Sequence, residues 1–244
     1  MALWNVAWKT PTSTKGREIA RILAHRDADV ICLTEGYAGL LPEFGHQILS
    51  DSDHGYRTSD GRRKVLLWSR WPWQDVDIVG SSDLPSGRFV RGRLETPSGS
   101  ATVIGVCIPW AHAHVSTGRR DRRPWQDHEA YIDGLERILG AEDAGTNLIV
   151  VVDFNQKLPV GRGPNRVRER LLRALGNLRI CTTGAISGVD ELSIDHVAHS
   201  AGLVATAVSG WEPVGGGGDI LSDHFGLCID LQDLEVPTIT TAAG

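Results

Sequence analysis

Ser222-Asp223-His224 stands late in the chain, and an earlier apolar run, Leu148–Val152, gives way to Asp153-Phe154-Asn155. An Asp–His dipeptide sets a hard oxygen ligand beside an imidazole that works near neutral pH. Side chains alternate along a strand, so Asp153 and Asn155 fall on the same side of it. A carboxylate, a carboxamide and an imidazole brought together can hold a divalent ion and direct a water at a phosphorus atom.

Strand-like runs must position these groups. Leu3–Trp8 alternates and stops at Lys9-Thr10-Pro11, and Val30–Leu33 is a short apolar run ending near Glu35. Val65–Ser69, Phe89–Thr96 and Ala101–Ile108 read as consecutive antiparallel strands, with Pro97-Ser98-Gly99-Ser100 as a hairpin turn. Leu148–Val152 is apolar throughout and reads as a strand buried on both faces; Ser193–Ala198, Leu203–Ser209 and Phe225–Leu231 close the series. Helical spacing appears over Arg17–Arg26 and Arg166–Leu175. Pro124 suits a first helical position, with Trp125, His128, Ile132, Leu135 and Leu139 as the inner stripe. Strands in this number with few helices predict two packed sheets with helices outside. One domain is expected over residues 1–234, and the aperiodic tail 235–244 is expected to be disordered.

At 244 residues, 41% hydrophobic and 23% charged, the chain has ordinary globular composition and is long enough for a sound core. No stretch approaches the roughly 20 apolar residues of a membrane span, and the N-terminus lacks the pattern of a signal peptide. The four cysteines, Cys32, Cys107, Cys181 and Cys228, form no CxxC pair and read as small buried hydrophobes in a reducing compartment. A cytoplasmic protein without a membrane or obligate protein partner is expected. The net charge of -5 argues against a surface that is basic throughout, but leaves room for a local basic rim such as Arg119-Arg120-Asp121-Arg122-Arg123.

Five short motifs end a strand or turn with a polar residue: Trp4-Asn5-Val6, Leu33-Thr34-Glu35, Val152-Asp153-Phe154-Asn155, Ser193-Ile194-Asp195-His196-Val197 and Ser222-Asp223-His224-Phe225. Singly, each has a plain reading: Asn5 a strand-end residue, Glu35 a surface carboxylate, Asp153-Phe154-Asn155 an Asx turn. In this order and spacing they resemble the endonuclease/exonuclease/phosphatase superfamily, from Trp4 to Leu227. The resemblance implies an α+β fold, a four-layer αββα sandwich of two mixed β-sheets with helices outside. It implies a metal-dependent hydrolase of phosphate esters using magnesium or manganese. By position, Asn5, Glu35 and Asp223 would serve the metal, Asp153 the attacking water, and Asn155 that water and a phosphate oxygen. His224 would face the phosphoryl group, oriented by Asp195.

The sequence departs from the family at several points. Val152 stands where many members have glycine, and Gly226 where a proline or small apolar residue is common. Cys107-Ile108-Pro109-Trp110 stands where apurinic endonucleases have Tyr-x-Pro-Asn, so the missing phosphate contact falls to His112 or His114. Arg122 and Arg123, before Pro124-Trp125, resemble a phosphate landing site of the nuclease members; a solvated charge run is the alternative. Trp4, Trp68 and Trp125 read as core, and Trp71, Trp73 and Trp110 as loop residues that stack on bases or pack against the sheet. The expected activity is a nuclease-type phosphodiesterase. A phosphatase or phosphodiesterase of a small molecule, or a catalytically silent binding module of the same fold, are the alternatives.

Overall fold

The computed structural model describes residues 1–57, 59–143, 145–161 and 163–234, so the expected disordered tail lies outside the described residues. The elements run β1 (Ala2–Asn5), α1 (Thr14–His25), β2 (Val30–Tyr37), β3 (His46–Leu49), β4 (Arg62–Ser69), β5 (Trp73–Asp77), β6 (Phe89–Thr96), β7 (Gly99–Cys107), α2 (Gln126–Ala141), β8 (Leu148–Asp153), α3 (Asn165–Leu175), β9 (Arg179–Ile180), β10 (Asp195–His199), β11 (Leu203–Trp211) and β12 (Gly226–Asp233). The described strands form two six-stranded sheets, ordered β11-β12-β1-β2-β4-β3 and β5-β6-β7-β8-β10-β9. Both are mixed: β1–β2 and β7–β8 are parallel pairs, and their neighbours are antiparallel.

Alternation along each strand sorts its side chains into layers. Leu3, Cys32, Val65, Leu67 and Leu227 of the first sheet meet Val90, Val103, Cys107, Val151 and Val197 of the second, filling the space between the sheets. The opposite face of the first sheet, with Trp4, Ile31, Leu33 and Trp68, packs against Ile19 and Leu23 of α1. The opposite face of the second, with Ile104, Val106, Val150 and Val152, packs against α2 and α3 through Tyr131, Ile132, Leu135, Val167 and Leu171. The layers are therefore helix, sheet, sheet, helix, as expected from the sequence.

α1 begins where the Ser13 side chain accepts a hydrogen bond from the Gly16 N–H at 3.0 Å, an ordinary N-cap. α2 departs from expectation. Pro124 is not its first residue: Trp125 holds a left-handed backbone with φ of 70° and the helix starts at Gln126. The Trp125 N–H donates to the Ala111 carbonyl at 2.6 Å, which draws its backbone out of the helical direction. Its ring still reaches the core, edge-on to His128. The first strand stops at Asn5 rather than Trp8, and Gly99 and Ser100 belong to β7 rather than to the turn. Trp73 opens β5 instead of lying in a loop.

Candidate active site

The same alternation that builds the inter-sheet core sets the site. Leu3 on β1, Cys107 on β7, Val151 on β8 and Val197 on β10 all face inward, so two residues on from Leu3, Val151 and back from Val197 lie Asn5, Asp153 and Asp195. These are the strand ends at one rim of the sandwich. β8 is flanked by β7 and β10 in a register that sets Asp153 opposite Cys107 on one side and Asp195 on the other. All three residues are buried, and Asp153 is only 1% exposed.

Hydrogen bonds tie the group together across the two sheets. Asn5 Nδ2 donates to Asp153 Oδ2 at 3.1 Å, and Asn5 Oδ1 accepts from the Ala7 N–H at 3.0 Å. Asp153 Oδ1 accepts from the Asn155 N–H at 3.0 Å, which makes the Asx turn that the sequence also allowed. Asn155 is left-handed, with φ of 53°, and its Nδ2 donates to the Ile108 carbonyl at 2.9 Å. Such backbones in non-glycine residues cluster at functional sites. His224 Nδ1 lies 2.6 Å from Asp195 Oδ2, while Asp195 Oδ1 is buried without a partner among the described residues. The loop carrying His224 is pinned from behind: Ser222 Oγ donates to the Asn5 carbonyl at 2.6 Å and accepts from the His224 N–H at 3.2 Å. Trp4 Nε1 donates to the His224 carbonyl at 2.8 Å.

The electrostatics follow from burial. Loss of solvent and the Asp195 carboxylate next door push the Asp153 carboxyl up to about 7. For His224 burial works the other way, lowering the pKa, but the Asp195 carboxylate and its hydrogen bond outweigh it and raise the imidazole to about 10. At neutral pH the site therefore holds a carboxyl near its titration point and a charged imidazole.

Glu35 lies in β2 with a left-handed backbone, φ 53°, and Oε1 accepts from Lys64 Nζ at 2.5 Å. The Lys64 ammonium also lies 5.0 Å from the Trp8 ring centroid. Asp223 is exposed and lines a cleft with His224, Asp195, Asp190, Glu191, Glu212 and Lys157. Among the described residues, no three His, Cys, Asp or Glu side chains come together as a ready ligand set.

The remaining sequence candidates lie apart from these contacts. His112 is exposed and tilted against Trp110, itself 47% exposed. His114 is buried, stacks on Tyr56 at 4.3 Å, and accepts from the Arg119 N–H at 3.2 Å. Arg122 Nε donates to the buried Asp127 at 2.6 Å, so it braces the start of α2. Arg123 is exposed, and among the described residues no carboxylate pairs with it.

Sequence reasoning passed over Lys64, Arg88 and His54. Lys64 closes the basic run Arg62-Arg63-Lys64 and Arg88 is a single charge, each before an apolar stretch, a pattern that also marks an ordinary strand end. Both prove to be buried, Arg88 to 2% exposure, with its guanidinium 3.9 Å from Cys107 Sγ. Behind the site lies a neutral polar network: His128 Nδ1 donates to the Pro109 carbonyl at 2.7 Å, and Gln156 Nε2 donates to His128 Nε2 at 2.8 Å. Burial holds His128 down to about 4, against the carbonyl that raises it, which fixes those donor and acceptor roles.

Comparison with known proteins follows the same outline. The model of the Endonuclease/Exonuclease/phosphatase family matches residues 2–224. An AP endonuclease from Archaeoglobus fulgidus superposes with a TM-score of 0.66 at 16% identity, over 96% of this chain and 98% of that one. A 3'-5' exonuclease from Neisseria meningitidis gives 0.67 at 18% identity, over 95% and 98%. A beta toxin from Staphylococcus aureus gives 0.64 at 13%, over 94% and 98%. These identities speak for the fold alone. No curated protein matches the chain in sequence.

Proposed function

Because the chain belongs to the endonuclease/exonuclease/phosphatase family, whose members hydrolyse phosphate esters, we propose that it is a divalent-metal-dependent phosphodiesterase that cleaves nucleic acid by attack of an activated water on phosphorus. One observation carries the reading. Asp195 stands opposite Asp153 in the sheet and holds His224 at 2.6 Å, so a buried carboxylate and a charged imidazole serve one spot.

The donors at the rim suit a hard ion. Glu35 contributes a carboxylate of which only Oε1 is engaged among the described residues, and Asn5 contributes a carboxamide oxygen with one acceptor bond. These two would hold magnesium or manganese, with Asp223 near His224 as a further carboxylate and water completing the shell. Bound there, the ion supplies charge neutralisation for the phosphoryl oxygens.

The chain's own residues account for the rest. Asp153, poised near neutral pH, accepts the proton of the attacking water, and its hydrogen bonds from Asn5 and Asn155 fix the direction of approach. Asn155 helps to place that water. His224 presents a charged N–H on Nε2 where negative charge grows on the phosphoryl group, and Asp195 sets its tautomer. The exposed Trp110 and Arg123 support a nucleic-acid substrate.

A second reading has its own support. The cleft beside His224 is lined by Asp190, Glu191, Glu212 and Asp223 with Lys157, a mostly acidic wall that repels a polyanionic strand more than a small ester of one or two charges. The deciding assay sets single-stranded, duplex and abasic DNA and RNA against small aryl phosphodiesters and phosphomonoesters, each with magnesium, manganese or chelator. Metal-dependent cleavage of nucleic acid is expected. Turnover confined to small esters selects the second reading, and no turnover of any substrate refutes the hydrolase and leaves a binding module.

A further inference from the structure

His54 lies on the segment between β3 and β4, is 5% exposed, and among the described residues has no hydrogen-bond partner on either ring nitrogen. The Trp8 indole stacks on it with centroids 5.8 Å apart, and Tyr56 stands at 5.8 Å in a tilted arrangement. A buried donor or acceptor left unmade costs roughly 1–3 kcal/mol, so a side chain with both nitrogens idle calls for a ligand or a function.

Its surroundings are cationic. Burial comes first in holding the ring down to about 4, and the nearby Lys64 and Arg88 charges add to it, against smaller opposing pulls from its own backbone and from Glu35. The ring is therefore neutral at physiological pH, with one N–H to donate. Arg88 is also buried, and among the described residues no carboxylate pairs with it. Its Nη1 donates to the Cys107 carbonyl at 3.3 Å, and its own carbonyl accepts from Tyr131 Oη at 2.7 Å. A guanidinium out of water without a counter-ion is costly unless an anion comes to it.

Both groups border the reaction. The Arg88 guanidinium lies 3.9 Å from Cys107 Sγ, which lies 3.8 Å from Asp153 Oδ2. Trp8, whose ring stacks on His54, donates its backbone N–H to the Glu35 backbone carbonyl at 2.7 Å. Cys107 itself is a weak partner for an anion, since burial pushes its thiol far up and keeps it a poor neutral donor.

We propose that His54 and Arg88 form an anion cradle that holds a non-bridging oxygen of the substrate's phosphate, taking over the contact that Cys107 cannot make. The assignment rests on the phosphoesterase reading of the site, but its test does not depend on turnover. Inorganic phosphate is titrated into the full chain in the presence of chelator, with binding followed by calorimetry and the imidazole nitrogens by NMR. Wild type is expected to bind phosphate and to shift the His54 ring nitrogens. His54→Phe keeps the ring against Trp8 and Tyr56 but removes both nitrogens. It should weaken phosphate binding about tenfold, the loss of one hydrogen bond to a charged group. His54→Gln, which restores a donor, should recover most of it, and Arg88→Met should abolish it. Wild type that binds no phosphate, His54 nitrogens that do not respond to it, or a folded His54→Phe that binds as wild type does, each overturns the cradle. If phosphate binds through His54 while no ester is hydrolysed, the cradle stands and the hydrolase reading falls.

Discussion

Replacing Asp195 by Asn keeps the shape of the side chain and removes its charge from Nδ1 of His224, 2.6 Å away. The raised pKa of His224, about 10 against an ordinary 6.5, depends first on overcoming burial, and the Asp195 carboxylate is the main group that does so. The gap corresponds to on the order of 5 kcal/mol at ~1.36 kcal/mol per unit. Without the carboxylate, burial is left largely unopposed and the imidazole should titrate at or below its ordinary value. At pH 8 the charged fraction would then fall from about 99% to roughly 3% or less, a loss of about thirtyfold. If His224 acts as a cation, turnover at pH 8 should fall at least that far, and the alkaline limb of the pH–rate profile should move from near 10 to about 6.5 or lower. If Asp153 is the base, the acid limb should report it, its carboxyl being raised by burial and by Asp195. The assay is hydrolysis of an aryl phosphodiester across pH, with the His224 ring followed by NMR in the same samples. A uniform drop in rate with no displacement of the alkaline limb, or a ring pKa that stays high, would refute the argument.

Glu35→Gln should lower metal-dependent turnover by on the order of a hundredfold or more without loss of folding; full activity at saturating magnesium excludes Glu35 from the metal. If Asp153 and His224 serve one step, Asp153→Asn and His224→Ala should each be nearly inactive and their combination little worse; additive losses would separate them. Gly226→Ala places a Cβ 1.9 Å from a Trp211 ring carbon, so overpacking should cost roughly 1–3 kcal/mol and lower the unfolding midpoint measured by calorimetry, whereas an unchanged midpoint would mean that Trp211 moves aside freely. If the substrate is nucleic acid, Arg123→Ala should reduce the slope of log affinity against log salt by roughly one, and Arg122→Ala, whose charge is spent on Asp127, should mainly lower thermal stability; the reverse pattern would contradict the placement of these two side chains.

Most of the sandwich could be read from the chain because β2, β4, β7 and β8 carry apolar stretches that only an interior accommodates, and β6 alternates. The strands that escaped were β3, β5 and β9. They lie at or next to the sheet edges, are short, and leave most of their side chains open to solvent. Without a buried face they carry no alternation to detect. The site divided along similar lines. Asp153 and Asp195 could be placed at a common rim because they end and open interior strands, whereas His224, on the loop before β12, was marked only by its Asp–His motif. Gly226 looked like an arbitrary departure until Trp211 was found lying across it. Lys64, Arg88 and His54 take their meaning from what covers them. A charge at the end of a strand is ordinarily solvated, and only the folded chain brings Trp8, the loop at His54 and Cys107 around it.

The first strand has a consequence for how the molecule comes into being. β1 is an interior strand of its sheet, wedged between β2 and β12, and its pairing partner Leu227 comes more than two hundred positions later. Asn5, at its end, is held from above by Ser222 and faces Asp153. The rim therefore closes only when the last strand of the sheet docks beside the first, a contact with a large loop-closure cost. A nascent chain emerging in order would carry most of the sandwich, with its helices packed, before any hydrolytic centre existed. Completion of the fold and the onset of activity would then be a single late event, and a chain cut short before β12 would be inert however much of the rest had folded.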